Sequence, residues 1–277
     1  HRQRRCADYK LPQDLVLRRP SAEERVKPIP VQVLHAAQRI ASANGSLAMC
    51  ASARLMWTGF FFLGRPGEYC AARSGNKYFR LSDVQLLNHG HNLDLWSTPE
   101  ETLRRSTDAH LNFSDQKNHH RGEKVGQKAS GHPTASPTVA IADQVCHLRA
   151  HGATPATPLC AFKEGTTWFV VTSTMITALL REAVAACPEC GITPADVSAR
   201  SLRASGAMAM LCDGLDTDHI KLFGRWRSDE LLTYLHVQAE PVYRDVSARM
   251  LRGGVYNLVP GTQAHAAFTA QPDSLYH

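Results

Sequence analysis

Arg200-Ser-Leu-Arg-Ala-Ser-Gly-Ala207 and, further along, Gly224-Arg-Trp-Arg-Ser-Asp-Glu-Leu-Leu-Thr-Tyr234 are the two phrases that decide how this chain is read. Arg200 and Arg203 stand at i and i+3. In a helix their guanidinium groups project from roughly one face, which suits binding of one phosphate. Tyr234 follows 31 residues after Arg203, on a short further helix from which its phenol reaches the same phosphate as a nucleophile. Arginines with one tyrosine point to phosphoryl transfer through a covalent intermediate, without a metal. Attack on a phosphodiester builds negative charge on the non-bridging oxygens, which arginines stabilise electrostatically. Tyrosine has a reference pKa of about 10, and neighbouring arginines favour its phenolate.

Working outward, helices are expected over 201–212, 217–223, 228–237 and 240–251, with Gly253-Gly254 closing the last and residues 253–277 a flexible tail. Upstream, Val33, Leu34, Ala37, Ile40 and Ala41 share one helical face that ends at Asn44-Gly45. The next segment, about Ala48 to Phe62, is apolar nearly all round and reads as a central buried helix. It stops at Gly64-Arg-Pro-Gly67, where Pro66 disfavours helix at Arg65. The period then changes. Tyr78–Val84, Asn92–Trp96 and His110–Phe113 read as short strands, and Lys117–Gly122 as a hairpin turn before a further strand over Glu123–Lys128. Helices return over 139–151 and 173–186, the second with Ile176, Leu179, Leu180, Ala183 and Val184 as a stripe. The expected fold class is therefore α+β, mainly α-helical, with a small antiparallel sheet.

Composition sets bounds. The 277 residues carry 31 Lys and Arg against 25 Asp and Glu, a net charge of +6. Residues 1–30 supply +4 of it, with eight basic against four acidic side chains and four prolines. They read as a basic linker or the remnant of an upstream domain, and equally as a solubilising arm or a DNA-tracking segment. A basic balance fits a polyanion partner. Leu47–Leu63 is too short and contains Arg54, so no membrane span is expected. The chain opens on His1 with no leading Met and no secretory signal, which suggests a trimmed chain. Eight scattered cysteines suggest free thiols in a reducing, intracellular compartment. Cys187-Pro-Glu-Cys190 has zinc-knuckle spacing and His119-His120 is a local pair, but no second half-site accompanies them. The plainer reading is a helix end running into a turn, and no cofactor or metal is expected.

Taken together these residues resemble the catalytic domain of the tyrosine site-specific recombinases, the phage-integrase family. The Ser-Leu-Arg-Ala-x-Gly-Ala and Gly-Arg-Trp-Arg-Ser-Asp phrases look most like its eukaryotic transposon-borne branch. The resemblance covers about residues 28–252. The family pattern is an arginine with a glutamate three later, a hairpin lysine, His-x-x-Arg, a His or Trp after a glycine, and a tyrosine nine residues beyond. Arg65 with Glu68, Lys117, Arg203, Gly224 and Tyr234 match it in order. Lys124 and Lys128 compete with Lys117 for the hairpin role. Two positions depart from the pattern: Arg200 replaces the His of His-x-x-Arg, and Arg225 the His or Trp, with Trp226 beside it. Arginine donates to phosphate but does not accept a proton at neutral pH.

The resemblance implies a catalytic domain over 31–252 that cleaves and rejoins DNA through a 3′-phosphotyrosyl intermediate, in recombination or integration of a mobile element. Arg65, Arg200, Arg203 and Arg225 would surround the phosphate, Lys117 would protonate the leaving 5′-oxygen and Tyr234 would attack. Glu68 and Trp226 would support them. It implies double-stranded DNA as partner, a homotetramer on paired sites, exchange of a C-terminal segment near 240–252, and a nuclear location if the source is eukaryotic. A different class competes: 201–223 also reads as helix, turn and helix, the form of a DNA-binding regulator without catalysis. A helical scaffold with a small sheet is the third reading, and it leaves the ordered Arg/Lys/Arg/Tyr series unexplained.

Overall fold

The computed structural model describes residues 26–72, 78–113 and 123–226. Two helices open it, α1 (Val31–Asn44) and α2 (Leu47–Phe61). The first ends where Gly45 turns left-handed at φ 71°, and buries Val33, Leu34, Ala37 and Ala41. The second is capped by Ser46, whose side chain accepts from the Met49 N–H. Its apolar circumference makes it the hub: α1, α5 (Pro137–Ala150), α6 (Ser173–Ala185) and α7 (Ser201–Cys212) all pack on it. Trp57 is fully buried there, with its indole N–H given to Gln38 at 3.1 Å. The remaining α-helices among the described residues are short: α3 (Pro66–Tyr69), α4 (Glu100–Arg104) and α8 (Thr217–Phe223). All five stripe residues of α6 are buried, and Thr172 caps that helix.

A four-stranded antiparallel sheet flanks α5, in the order β2 (His91–Asn92), β1 (Val84–Asn88), β3 (Asp108–Phe113), β4 (Glu123–Lys128). Along β3 burial alternates, with Ala109, Leu111 and Phe113 inward. The fold is thus α+β with a small antiparallel sheet.

Two strand expectations are corrected. Tyr78–Val84 is not a strand: after a single bridge at Arg80 the chain makes a 3-10 turn over Leu81–Asp83, and the strand begins only at Val84. The Asp83 carboxylate accepts from the Arg80 N–H at 2.9 Å, a local bond that competes with a ladder. Of Asn92–Trp96 only Asn92 belongs to a strand: the Leu93 N–H still donates to the Leu86 carbonyl, and Asp94 then closes a turn by accepting from the Trp96 N–H and the Ser97 hydroxyl. A further hairpin, β5 (Ala161–Glu164) with β6 (Thr167–Val170), has no counterpart in the sequence-based expectations.

Residues just before α1 are tied to the body. The Lys27 N–H donates to the Asp196 carbonyl, and the buried Ile29 N–H to Ser205 Oγ at 2.7 Å. Residues 1–25, with most of the basic segment, and the tail 253–277 lie outside the described residues, as do the helices expected over 228–237 and 240–251. No helix among the described residues is long and apolar enough to cross a membrane.

Candidate active site

Two helix ends build the site. At the C-terminus of α2 the chain turns left-handed at Leu63, φ 47°. The Gly64 N–H returns to the Gly59 carbonyl and the Leu63 N–H to the Phe60 carbonyl, the two bonds of a Schellman stop. At the C-terminus of α8 the same motif recurs with Arg225 at φ 60°: the Trp226 N–H reaches the Lys221 carbonyl and the Arg225 N–H that of Leu222. Glycine normally holds this position, because a side chain in the left-handed region costs roughly 1 kcal/mol. Leucine is kept at 63 because its side chain fills a small core with Ala207, Ile220 and Trp226.

Arg203, on α7, joins the two ends. It is 6% exposed and donates from Nη1 to the Leu63 carbonyl at 2.5 Å and from Nη2 to the Gly224 carbonyl at 2.6 Å. Helix C-termini carry unsatisfied carbonyls and partial negative charge, so one buried guanidinium satisfies both. The Trp226 ring covers it, 3.9 Å from the guanidinium carbon. A Cβ on Gly224 would collide with that indole. Close approach of α7 to α2 depends on Gly206, whose missing Cβ leaves room for the Phe60 carbonyl oxygen.

The chain leaves α2 through Arg65, which is extended (φ −76°, ψ 145°) as a residue before proline should be. Pro66 then starts α3, where its missing N–H costs nothing. The Glu68 carboxylate reaches back to the Arg65 N–H at 2.8 Å and to Arg65 Nη1 at 3.3 Å. Its other partner is Arg225, whose Nη2 lies 3.2 Å from Glu68 Oε2 and whose Nη1 donates to the Phe62 carbonyl at 3.3 Å. The Phe113 ring, at the end of β3, sits 3.8 Å from the Arg225 guanidinium carbon. Arg65, Glu68, Arg203, Arg225 and Trp226 are therefore one cluster. Two guanidinium groups, of Arg65 and Arg225, meet the buried Glu68 carboxylate, and that of Arg203 lies under the neighbouring Trp226 ring. Arg65 is the most open of the three, with its side chain 39% exposed.

Other expected residues stand apart or out of view. Arg200 is exposed at the start of α7, where its backbone N–H donates to Ser198 Oγ. The i, i+3 pair is thus split between solvent and core, since the helix start is open while Arg203 lies beneath two helix ends. Lys117 and Tyr234 lie outside the described residues, as does the His119-His120 pair. Lys124 pairs in register with Asn112, next to the Phe113 end of the sheet. Lys128 pairs with Asp108 and bonds its carboxylate at 3.3 Å. That is five residues along β3 from Phe113, roughly 17 Å away. Cys187 and Cys190 are free thiols flanking a 3-10 turn at the end of α6, and no group of metal-ligating side chains is found among the described residues.

Sequence reasoning did not single out Tyr69. It is fully buried, donates its hydroxyl to the Ala199 carbonyl at 2.7 Å, and fills the space left by Gly59 and Gly64. Burial pushes its phenol well above the usual tyrosine range, so it stays protonated and serves as a strut between α3 and the start of α7. The two glycines five residues apart, just ahead of a tyrosine, were the available signal.

No family model, curated protein or solved structure matches this chain.

Proposed function

We propose that this chain breaks and rejoins DNA strands through a 3′-phosphotyrosyl intermediate, as the tyrosine recombinases it resembles do. The observation that carries this reading is the convergence of Arg65, Glu68, Arg203, Arg225 and Trp226. They come from separate stretches of chain, and Arg203 bonds Leu63 across 140 residues and Gly224 across 21. Several guanidinium groups gathered in one place, with the Arg65 side chain 39% exposed, suit a phosphodiester.

In the proposed step the Tyr234 oxygen bonds to phosphorus while the bond to the 5′-oxygen breaks. Lys117 gives that oxygen its proton, leaving a free 5′-hydroxyl. The phenol proton passes to solvent, since Arg200 stands where the family has its proton acceptor. Attack by another 5′-hydroxyl reverses the step, and the phosphotyrosyl bond conserves the energy needed. Double-stranded DNA is the substrate and a homotetramer on paired sites the working assembly, both carried over from the resemblance.

The test is to incubate the protein with nicked and branched duplexes and look for an adduct that survives SDS. An adduct lost in Tyr234→Phe supports the assignment; one that persists in that variant removes Tyr234 as nucleophile. A second reading, a DNA-binding regulator built on α7 and α8, is favoured by one feature. Arg203 and Arg225 already donate to backbone carbonyls. Binding to DNA with no adduct across a range of sites selects that reading.

A further inference from the structure

We infer that Cys187 and Cys190 form a thiol–disulfide redox site. The pair closes reversibly into a disulfide by exchange with a low-molecular-weight disulfide such as glutathione disulfide. The site lies at the end of α6, and the inference stands independently of the proposed DNA chemistry.

Three observations carry it. The first is the turn. After α6, Cys187-Pro-Glu-Cys190 makes one 3-10 turn, in which the Cys190 N–H donates to the Cys187 carbonyl at 3.1 Å. Such a turn brings its end Cα atoms within about 7 Å, and disulfides span Cα separations of about 4.4–6.8 Å. Pro188 fixes the backbone inside the turn and Gly191 ends it at φ 68°, so the spacing is held before any bond forms. The second is the difference in access. Both are free thiols, but Cys187 is 6% exposed and Cys190 only half-buried. An incoming disulfide meets Cys190 first, with Cys187 behind it to resolve. The third is the setting of the Cys190 thiol. Burial, then the Glu189 carboxylate and Cys187, raise its pKa, while a hydrogen bond from Gln32 on the first turn of α1 favours the thiolate that attacks. Exchange is therefore slow at neutral pH and quickens as pH rises.

In the first step the Cys190 thiolate attacks one sulfur of glutathione disulfide, forming a mixed disulfide and releasing one glutathione thiolate. The Cys187 sulfur, its proton lost, then attacks the Cys190 sulfur and expels the second glutathione. The protein gives up two electrons and two protons, and both end on the two glutathione thiols.

The test equilibrates the full chain in buffers of graded reduced-to-oxidised glutathione ratio, quenches it in acid and alkylates the remaining thiols in denaturant. Both cysteines fall in the one tryptic peptide from Glu182 to Arg200, so mass spectrometry reads its dithiol, mixed and intramolecular disulfide forms directly. The intramolecular form is expected to exceed the mixed disulfide at least about tenfold once the peptide is half oxidised. A peptide that stays dithiol in the most oxidising buffer, or that stops at the mixed disulfide, overturns the inference. The same titration in urea isolates the contribution of the fold. The folded turn should close the disulfide at least about tenfold more favourably than the unfolded chain, and equal constants overturn the inference. In C187S glutathione is expected to accumulate on Cys190, whereas in C190S Cys187 should react at least about tenfold more slowly. Equal rates in the two variants overturn the order of attack. C187A replaces C187S if the buried hydroxyl unfolds the protein, and the wild-type titrations decide without either.

Discussion

Arg203 donates to the carbonyl oxygen of Leu63, so a charged side chain of one helix closes the C-terminus of another. Because its second donor closes α8 at Gly224, this arginine is a structural staple as well as a candidate phosphate ligand.

Arg203→Ala should therefore lose stability along with any activity. It strands two carbonyls, and we expect a loss of about 2–4 kcal/mol in urea unfolding. Reading Arg203 from sequence as charge alone predicts an unchanged fold. A variant that keeps its unfolding midpoint while losing DNA cleavage would restore that simpler account.

Gln144 offers a comparison away from the site. Its buried amide donates both hydrogens, to the Leu159 carbonyl at 2.8 Å and the Ala161 carbonyl at 2.7 Å. It thereby fixes the start of β5 against α5. Gln144→Leu keeps the bulk and strands both acceptors, for an expected loss of about 2–4 kcal/mol by chemical denaturation. If the leucine variant is as stable as wild type, water or relaxation of β5 satisfies those carbonyls.

His147 should give the fold a pH dependence. Burial, then the charges of Arg54 and His151, push its pKa down to about 4. The folded state therefore binds fewer protons than the unfolded chain between that value and the reference near 6.5. The stability is fully present above about pH 6.5 and is lost as pH falls towards 4, by up to ~2 kcal/mol once solvent screening is allowed for. Asp143, one turn earlier on α5, is shifted up by burial and works in the opposite sense. The difference between wild type and His147→Gln isolates the histidine. Parallel curves for the two proteins from pH 4 to 7 would show that His147 contributes nothing.

The sequence discloses those parts of the fold where one physical signal acts without rivals. The spans of α7 and α8 are legible because apolar spacing, Asp213-Gly214 and the Asp216 cap agree. The α6 stripe is legible for the same reason. The β5–β6 hairpin is not, because Trp168 and Phe169 are adjacent and both partly exposed, which hides the alternation a strand should show. At the site, the family resemblance groups Arg65, Glu68, Arg203 and Arg225, yet their partners are not legible. Arg203 and Arg225 bond to main-chain carbonyls of residues 62, 63 and 224, and no side-chain type announces a carbonyl left open by a left-handed turn. Leucine at a position that favours glycine gives no warning in sequence of φ 47°.

Gly206 gives the sharpest test of how the site is assembled. It lies inside α7, where replacing glycine by alanine ordinarily stabilises a helix by roughly 1 kcal/mol. Here the added Cβ would press on the Phe60 carbonyl oxygen, a backbone atom one turn before Leu63, and on the Leu63 side chain. Backbone cannot swing aside as a flexible side chain can. Gly206→Ala should therefore push α7 off α2, lengthen or break the bond from Arg203 to Leu63, and reverse the usual sign, costing about 1–3 kcal/mol. Arg203 should become more open to solvent as the staple loosens, and so react faster with phenylglyoxal. The two readouts fail separately. A stabilised Gly206→Ala protein would show that the helices have slack, and a destabilised one with unreactive Arg203 would place the strain elsewhere than at the Leu63 carbonyl.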